Sequence, residues 1–267
     1  MNRSWRVTVG NTDVSNLSIE FEAMRSVKHE PNTLSLKIYN LAQATRSRLE
    51  NATDDLLVQL RAGYDIGDSV IFVGDARTIM TEKDGPDFIT TIEGRDGGRT
   101  YQRARINKSY PPGTPIRTAI VDAVDALGIG RGNVDDVDTF TLRGGATTFT
   151  DGGVSSGPAH RVLTSLLRGS GYRWSVQNNA MQILERGRPL QRQAVRLAPG
   201  TGLVGSPTKE DRGRVTATAL MLPGLDPGRR IVLESALVSG GYEIERVVYS
   251  GQTRGNDWYA ALELVPL

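Results

Sequence analysis

Cysteine is absent from the 267-residue chain, which removes disulfides, thiolate zinc sites and cysteine nucleophiles together. Long apolar runs are missing too: the longest, DLLVQL and RRIVLESALV, fall well short of the ~20 residues a bilayer-spanning helix needs. No block of five like charges occurs, and 32 Lys and Arg stand against 30 Asp and Glu. The calculated pI of 8.9 therefore describes a nearly neutral chain with interspersed charges, without the concentrated basic face usual in nucleic-acid binders. Aromatic residues make up only 6% and histidines number two. No apolar stretch follows Met1-Asn-Arg-Ser-Trp-Arg6, so no secretory signal is expected.

What is present is glycine, 30 residues of it, pointing to many turns and short strands. Only five of the basic residues are Lys and the other 27 are Arg, a bias that suits bidentate pairing at partly buried interfaces and that a GC-rich genome also produces. The first β region is expected over 1–98. Trp5–Val9, Leu17–Phe21 and Leu34–Ile38 alternate apolar and polar residues, and a short polar helix fits 42–50. Further strands are expected at 56–60, 70–73, 76–81 and 88–93, with Asp84-Gly85-Pro86 as a hairpin turn. Over 99–190 the texture becomes α+β. Thr114 and Pro115 suit the N-cap and first position of a helix carrying Ile116, Ile120, Val124 and Leu127, closed by Gly128. After weak strand signals beyond 138, Pro158 opens a second helix ending at Gly169. Tyr172–Val176 and Met181–Ile183 then form a hairpin across Asn178-Asn179. The β texture returns over 191–267.

The two β regions repeat one another. IYNL (38–41) before DLLVQLRAG (55–63) is echoed by LMLPGL (220–225) before RRIVLES (229–235). In the following hairpins Arg77 is matched with Arg246, and Gly85, Asp87, Phe88, Ile92 and Glu93 with Gly255, Asp257, Trp258, Leu262 and Glu263. One residue inserted in the second hairpin loop reconciles the two sets. The fold expected is mainly β with a small α+β insert: two tube-like β-barrels flanking a middle domain of two helices and a hairpin.

No catalytic constellation emerges. His29 and His160 lie in no metal-ligand spacing, and Asp135, Asp136 and Asp138 lack the spacing and closing Glu of a calcium loop. Asp122 and Asp125 read as the polar face of a helix. Gly94-Arg-Asp-Gly-Gly-Arg99 matches neither a P-loop nor a dinucleotide fingerprint. The best candidate for a single-stranded nucleic-acid stripe is Tyr101, Arg103, Arg105, Lys108 and Tyr110. No catalytic residue, metal or cofactor is expected. Arg77, Glu93, Arg246 and Glu263 are the candidates for pairing within or between modules, with solvated strand charges as the competing role.

LSIEFEAMRSVKHEPNTLSLKIYNLAQATRSRL resembles the N-terminal segment of tail or baseplate hub proteins of contractile-tailed, Mu-like phages. TGLVGSPTKEDRGRVTATALMLPGLDPGRRIVLES resembles their second tube-like barrel. The resemblance implies a non-enzymatic hub, related to the hub part of VgrG-type proteins, in which three chains place six similar modules in a ring around a channel. Its implied partners are further copies in a homotrimer, the tail tube protein, the spike, other baseplate proteins and the tape-measure protein. Its implied location is the virion baseplate, after assembly in the host cytoplasm. Because the sequence reaches Leu267 directly after its last strand, a spike or lysozyme domain is expected on another polypeptide. The alternative readings are a prophage-encoded cell-wall glycan hydrolase and a barrel that binds single-stranded nucleic acid.

Overall fold

Period-two alternation governs most of the chain, and the computed structural model turns it into strands; residues 2–53, 55–65, 67–141 and 145–267 are described. The first part comprises β1 (Arg3–Val9), β2 (Thr12–Asp13), β3 (Ile19–Ser26), β4 (Thr33–Tyr39), α1 (Gln43–Glu50), β5 (Leu57–Tyr64), β6 (Gly67–Asp84) and β7 (Asp87–Arg95). The middle contains α2 (Gly98–Arg103), β8 (Arg105–Tyr110), α3 (Ile116–Ala126), β9 (Gly153–Pro158), α4 (Ala159–Leu167), β10 (Tyr172–Gln177) and β11 (Ala180–Glu185). The last part holds β12 (Val195–Leu197), β13 (Leu203–Lys209), β14 (Val215–Leu220), β15 (Arg230–Glu234), β16 (Ser239–Gln252) and β17 (Trp258–Pro266). The chain is thus mainly β, with a large antiparallel sheet and an α+β middle segment. It divides into two compact units, one of residues 1–27, 32–96 and 189–267, the other of 28–31 and 97–188.

In the first unit a 13-stranded sheet runs in the order β13-β14-β17-β16-β3-β4-β7-β6-β5-β1-β2, with β15 and β12 attached through β16. Two groups of five strands within it share one plan. In chain order β3, β4, β5, β6, β7 form a sheet ordered β3-β4-β7-β6-β5, and β13, β14, β15, β16, β17 form β13-β14-β17-β16-β15. Each group carries a β-bulge at the same rung: Ala76 pairs with Gly94 and Thr78 with Glu93, while Ile244 pairs with Leu264 and Arg246 with Glu263. The rungs match Arg77 with Glu245 and Thr78 with Arg246, one residue away from the match of Arg77 with Arg246 drawn on sequence. Correspondingly the second hairpin loop is two residues longer: Asp84 pairs with Asp87, and the Gln252 amide donates to the Asp257 carbonyl at 2.9 Å. A shared bulge is a specific correspondence, because it bends and re-aims the strand at one place. Where two strands were expected at 70–73 and 76–81, the bulge lets one strand, β6, run through both. No ladder closes on itself among the described residues, and β13 and β2 end the path.

The groups join where β16 pairs with β3, from Arg246 opposite Ser26 to Gln252 opposite Glu20. Beneath this seam Arg25, only 2% exposed, donates to Asp226 at 2.9 Å. Trp258 is buried against Phe21, and its indole N–H donates to the Gly63 carbonyl at 2.8 Å. Gly251 faces Phe21 across the seam, and a Cβ there would overlap the Phe21 ring and press on Trp258. The buried face collects Phe21, Ala23, Leu34, Leu36, Ile92, Val247, Tyr249, Ala260 and Leu262 into one core.

The second unit has its own core, centred on α3 and α4. Pro115, not Thr114, occupies the N-cap position of α3, because the Thr114 hydroxyl turns back to the Pro111 carbonyl at 2.7 Å. Gly128 at φ +67 ends the helix as expected. Asn178 and Asn179, at φ 52 and 64, form the tight turn between β10 and β11. The strand signal beyond 138 is realised as β9, paired with β8; residues 142–144 of that stretch lie outside the described residues. The short α2 had no periodic signature in sequence. Tyr101 stacks on His160 at 5.1 Å and leans on Trp174 at 6.1 Å, with His29 on the other side of Trp174 at 6.0 Å. Burial pushes the His160 imidazole below its usual range, opposed by a main-chain hydrogen bond at Tyr101.

Two outcomes follow for stability. Asp226→Ala removes the carboxylate that Arg25 meets at 2.9 Å and is expected to cost about 2–3 kcal/mol, below the ~3–5 of a fully buried pair because Asp226 keeps some solvent. Gly251→Ala is expected to cost about 1–3 kcal/mol by overpacking the seam. Urea unfolding checks both. For His160 the unfolded chain binds the proton more readily than the folded one, so the second unit loses stability as pH falls from about 6.5 through the lowered folded value. Protection factors of the α4 amides, referred to the intrinsic exchange rate at each pH, should fall on acidification in the wild type, and less so in His160→Gln.

Candidate assembly interface

Residues paired across strands share a face, so rows can be followed over the whole sheet. One row passes from Tyr259 through Ser250, Glu22, Ser35 and Glu93 to Thr78, crossing the seam between the two groups. Another passes from Thr208 through Thr216, Glu263 and Arg246 to Ser26. These rows are polar and partly or fully exposed, while the alternate residues form the core. One long polar face therefore spans both groups, as expected of an antiparallel sheet that is covered on one side only.

Three of the four residues singled out on sequence lie on this face. Arg246 and Glu263 form an ion pair at 2.7 Å, with side chains 39% and 41% exposed, a setting in which such pairs contribute about 1 kcal/mol or less. Glu93 accepts from the Ser35 hydroxyl at 2.8 Å. Arg77 sits in the bulge of β6 with its Nε buried and without a hydrogen-bond partner among the described residues. The structure thus pairs Arg246 with Glu263 but not Arg77 with Glu93. At the matching bulge of the second group the residue is acidic, and Glu245 accepts from Arg214 at 2.5 Å. Sequence reasoning missed Arg25, Asp226 and Glu245: the first two meet across 201 residues of chain, and bulge position leaves no periodic mark.

The other candidates are occupied locally. Asp122 accepts from Lys108 at 2.6 Å and from Tyr110 at 3.1 Å, Asp125 holds Arg131 at 2.7 Å, and Asp135 holds Arg117 at 3.1 Å. Arg131 accordingly holds the Asp125 carboxyl below the usual carboxylate range. Among the described residues no cluster of three His, Asp or Glu side chains is placed to hold a metal ion. The stripe from Tyr101 to Tyr110 does not form one face. Tyr101 is buried and donates to the His29 carbonyl at 2.7 Å, Tyr110 is buried against Phe149, and Lys108 is neutralised by Asp122. Gly97 and Gly98, at φ 76 and 64, turn the chain into α2.

A cleft of about 420 Å³ is lined by Asn16, Glu20, Tyr39, Asn40, Asp87 and Thr253, among others. Its carboxylates are engaged: Asp87 accepts from Asn40 at 2.7 Å, and Glu20 from Tyr39 at 3.2 Å. Burial, and then the Glu20 carboxylate, hold the Tyr39 phenol above its usual range, so it stays a neutral donor. The cleft thus presents hydrogen-bonded surface groups rather than an acid and base facing an open position.

No family model matches the chain. No curated protein matches it either. Solved structures do. The 43 kDa tail protein of prophage MuSo2 from Shewanella oneidensis matches with a TM-score of 0.68 at 9% identity, over 99% of this chain and 97% of that one. A tail protein from Neisseria meningitidis MC58 matches with 0.60 at 9% identity, over 99% and 96%. An E. coli component of the type VI secretion system, described as structurally similar to T4 bacteriophage tail proteins gp27 and gp5, matches with 0.57 at 11% identity, over 100% and 77%. Along its whole length this chain has the fold of phage-type tail proteins.

Proposed function

We propose that the chain is a non-catalytic structural component of a phage-type tail, a baseplate hub that forms a trimer. In this reading residues 1–98 and 191–267 act as kindred tube-like modules and 99–190 as the domain between them. Three chains then present six modules around a central channel. One side of the ring docks on a hexameric tail tube and the other accepts a trimeric spike. The location is the virion baseplate, and further baseplate proteins and the tape-measure protein are the remaining partners.

The observation that carries the reading is the doubled five-strand plan, with its bulge at the same rung, inside a fold shared end to end with tail proteins. A closed ring requires heterologous contacts, and two similar modules in one chain supply alternating versions of one contact. A sixfold surface and a threefold one can then meet on the same ring.

Mass photometry of the purified protein should give three times the 29.0 kDa chain, and end views by electron microscopy a ring with threefold symmetry. A chain that stays monomeric within assembled particles, or a ring without threefold symmetry, contradicts the reading. Zymography on peptidoglycan should show no clearing, whereas a cleared zone at the position of the chain would favour the glycan hydrolase.

A further inference from the structure

The two five-strand groups are alike in plan but not in what covers their edges. In the second group the outer half of β16, Arg246–Gln252, is covered by β3, the first strand of the other group. By the shared rungs the matching half of β6 is Thr78–Asp84, and among the described residues its backbone bonds to nothing but β7. α1 packs against β6 without hydrogen-bonding to this edge. Thr78, Met80, Glu82, Lys83 and Asp84 are exposed there, Met80 by 54%. The match of β3 is β13, the terminal strand of the sheet, whose outer edge over 204–209 is also unpaired among the described residues. A chain with one uncovered strand half and one uncovered complementary strand carries both sides of a joint that it has already made once within itself.

We infer that Thr78–Asp84 of one copy pairs antiparallel with β13 of a second copy, repeating between chains the joint that β16 and β3 make within one. This rests on the ring-forming reading above and names its contact. Carrying the register of β16 and β3 across the matched rungs puts Glu82 opposite Thr208, Thr81 opposite Lys209 and Met80 opposite Glu210. The match extends to Glu210 because its amide continues the ladder to the Arg214 carbonyl at 2.7 Å, as Met24 continues to Thr33 in β3. Pro207, one residue before this segment, has no N–H to give, so the joint is confined to the end of β13 and a slipped register loses donors. A slip by one residue would also bring the polar face of one copy level with the core face of the next. Each copy offers one edge of each kind, so the contact is head-to-tail and the chains continue around until the ring closes.

Because the chain has no cysteine, Glu82→Cys combined with Thr208→Cys introduces its only two thiols. Directly opposed residues of an antiparallel pair have Cα atoms about 4.5–5.5 Å apart, within disulfide reach. Mild oxidation of the assembled protein should link chains into covalent multimers ending at the closed ring. Yields should exceed those of either single variant, and of the shifted pair Lys83→Cys with Thr208→Cys, by about tenfold. Thr81→Cys with Lys209→Cys repeats the test one rung away. A full-mass oligomer that neither in-register pair cross-links, or that the shifted pair cross-links equally well, overturns this joint while leaving the ring reading standing. A protein that stays monomeric throughout overturns both.

Discussion

The antiparallel joint between β16 and β3 is the constraint on which the rest depends. It ties strands more than two hundred residues apart into one sheet, and it makes the two five-strand groups share one buried face and one polar face. Without it the chain would hold two small sheets, each with exposed edges that invite uncontrolled pairing. With it, Trp258 and Phe21 bury each other across the joint, and Arg25 can be buried because Asp226 meets it there. A buried guanidinium is costly without such a partner, so this ion pair also disfavours a sheet paired in any other register.

Duplication explains how one chain makes such a joint. Two copies of the same plan already possess matching edges, so linking them in tandem satisfies one edge internally and leaves one of each kind outside. The bulges in β6 and β16 sit at the same rung although the residues at the rung differ, Arg77 in one and Glu245 in the other. The two groups thus share backbone geometry while their side chains differ, as expected when strand pairing, rather than any one charge, holds the sheet together.

The strands, the helices of the middle segment and the hairpin across Asn178 and Asn179 were legible in sequence, because their signals are local: alternation, helical spacing and positive-φ residues. The repeat was legible in outline but one residue out of step at Arg77, since a bulge adds a residue without any periodic trace. The pairing of Arg246 with Glu263 was accessible because cross-strand partners follow once a hairpin is recognised. The joint itself was not accessible. Nothing in the composition of β3 or β16 says that they are neighbours, and Arg25 looks like any other charge in an alternating strand until its burial is seen. The nucleic-acid stripe failed for a similar reason: Tyr101 and Tyr110 point inward, and spacing alone does not say which face a residue takes.

The central claim, that one kind of strand joint is made within the chain and again between chains, is tested most directly by amide hydrogen exchange on dilute and assembled protein. The account predicts that amides of β3 and of residues 246–252 are protected in both states, while those amides within 78–84 and 208–210 that are not already bonded to β7 or to 214–216 become protected only on assembly. Protection gained elsewhere on the sheet with these two edges still exchanging freely, or a seam between β3 and β16 that exchanges freely in the dilute chain, would contradict it.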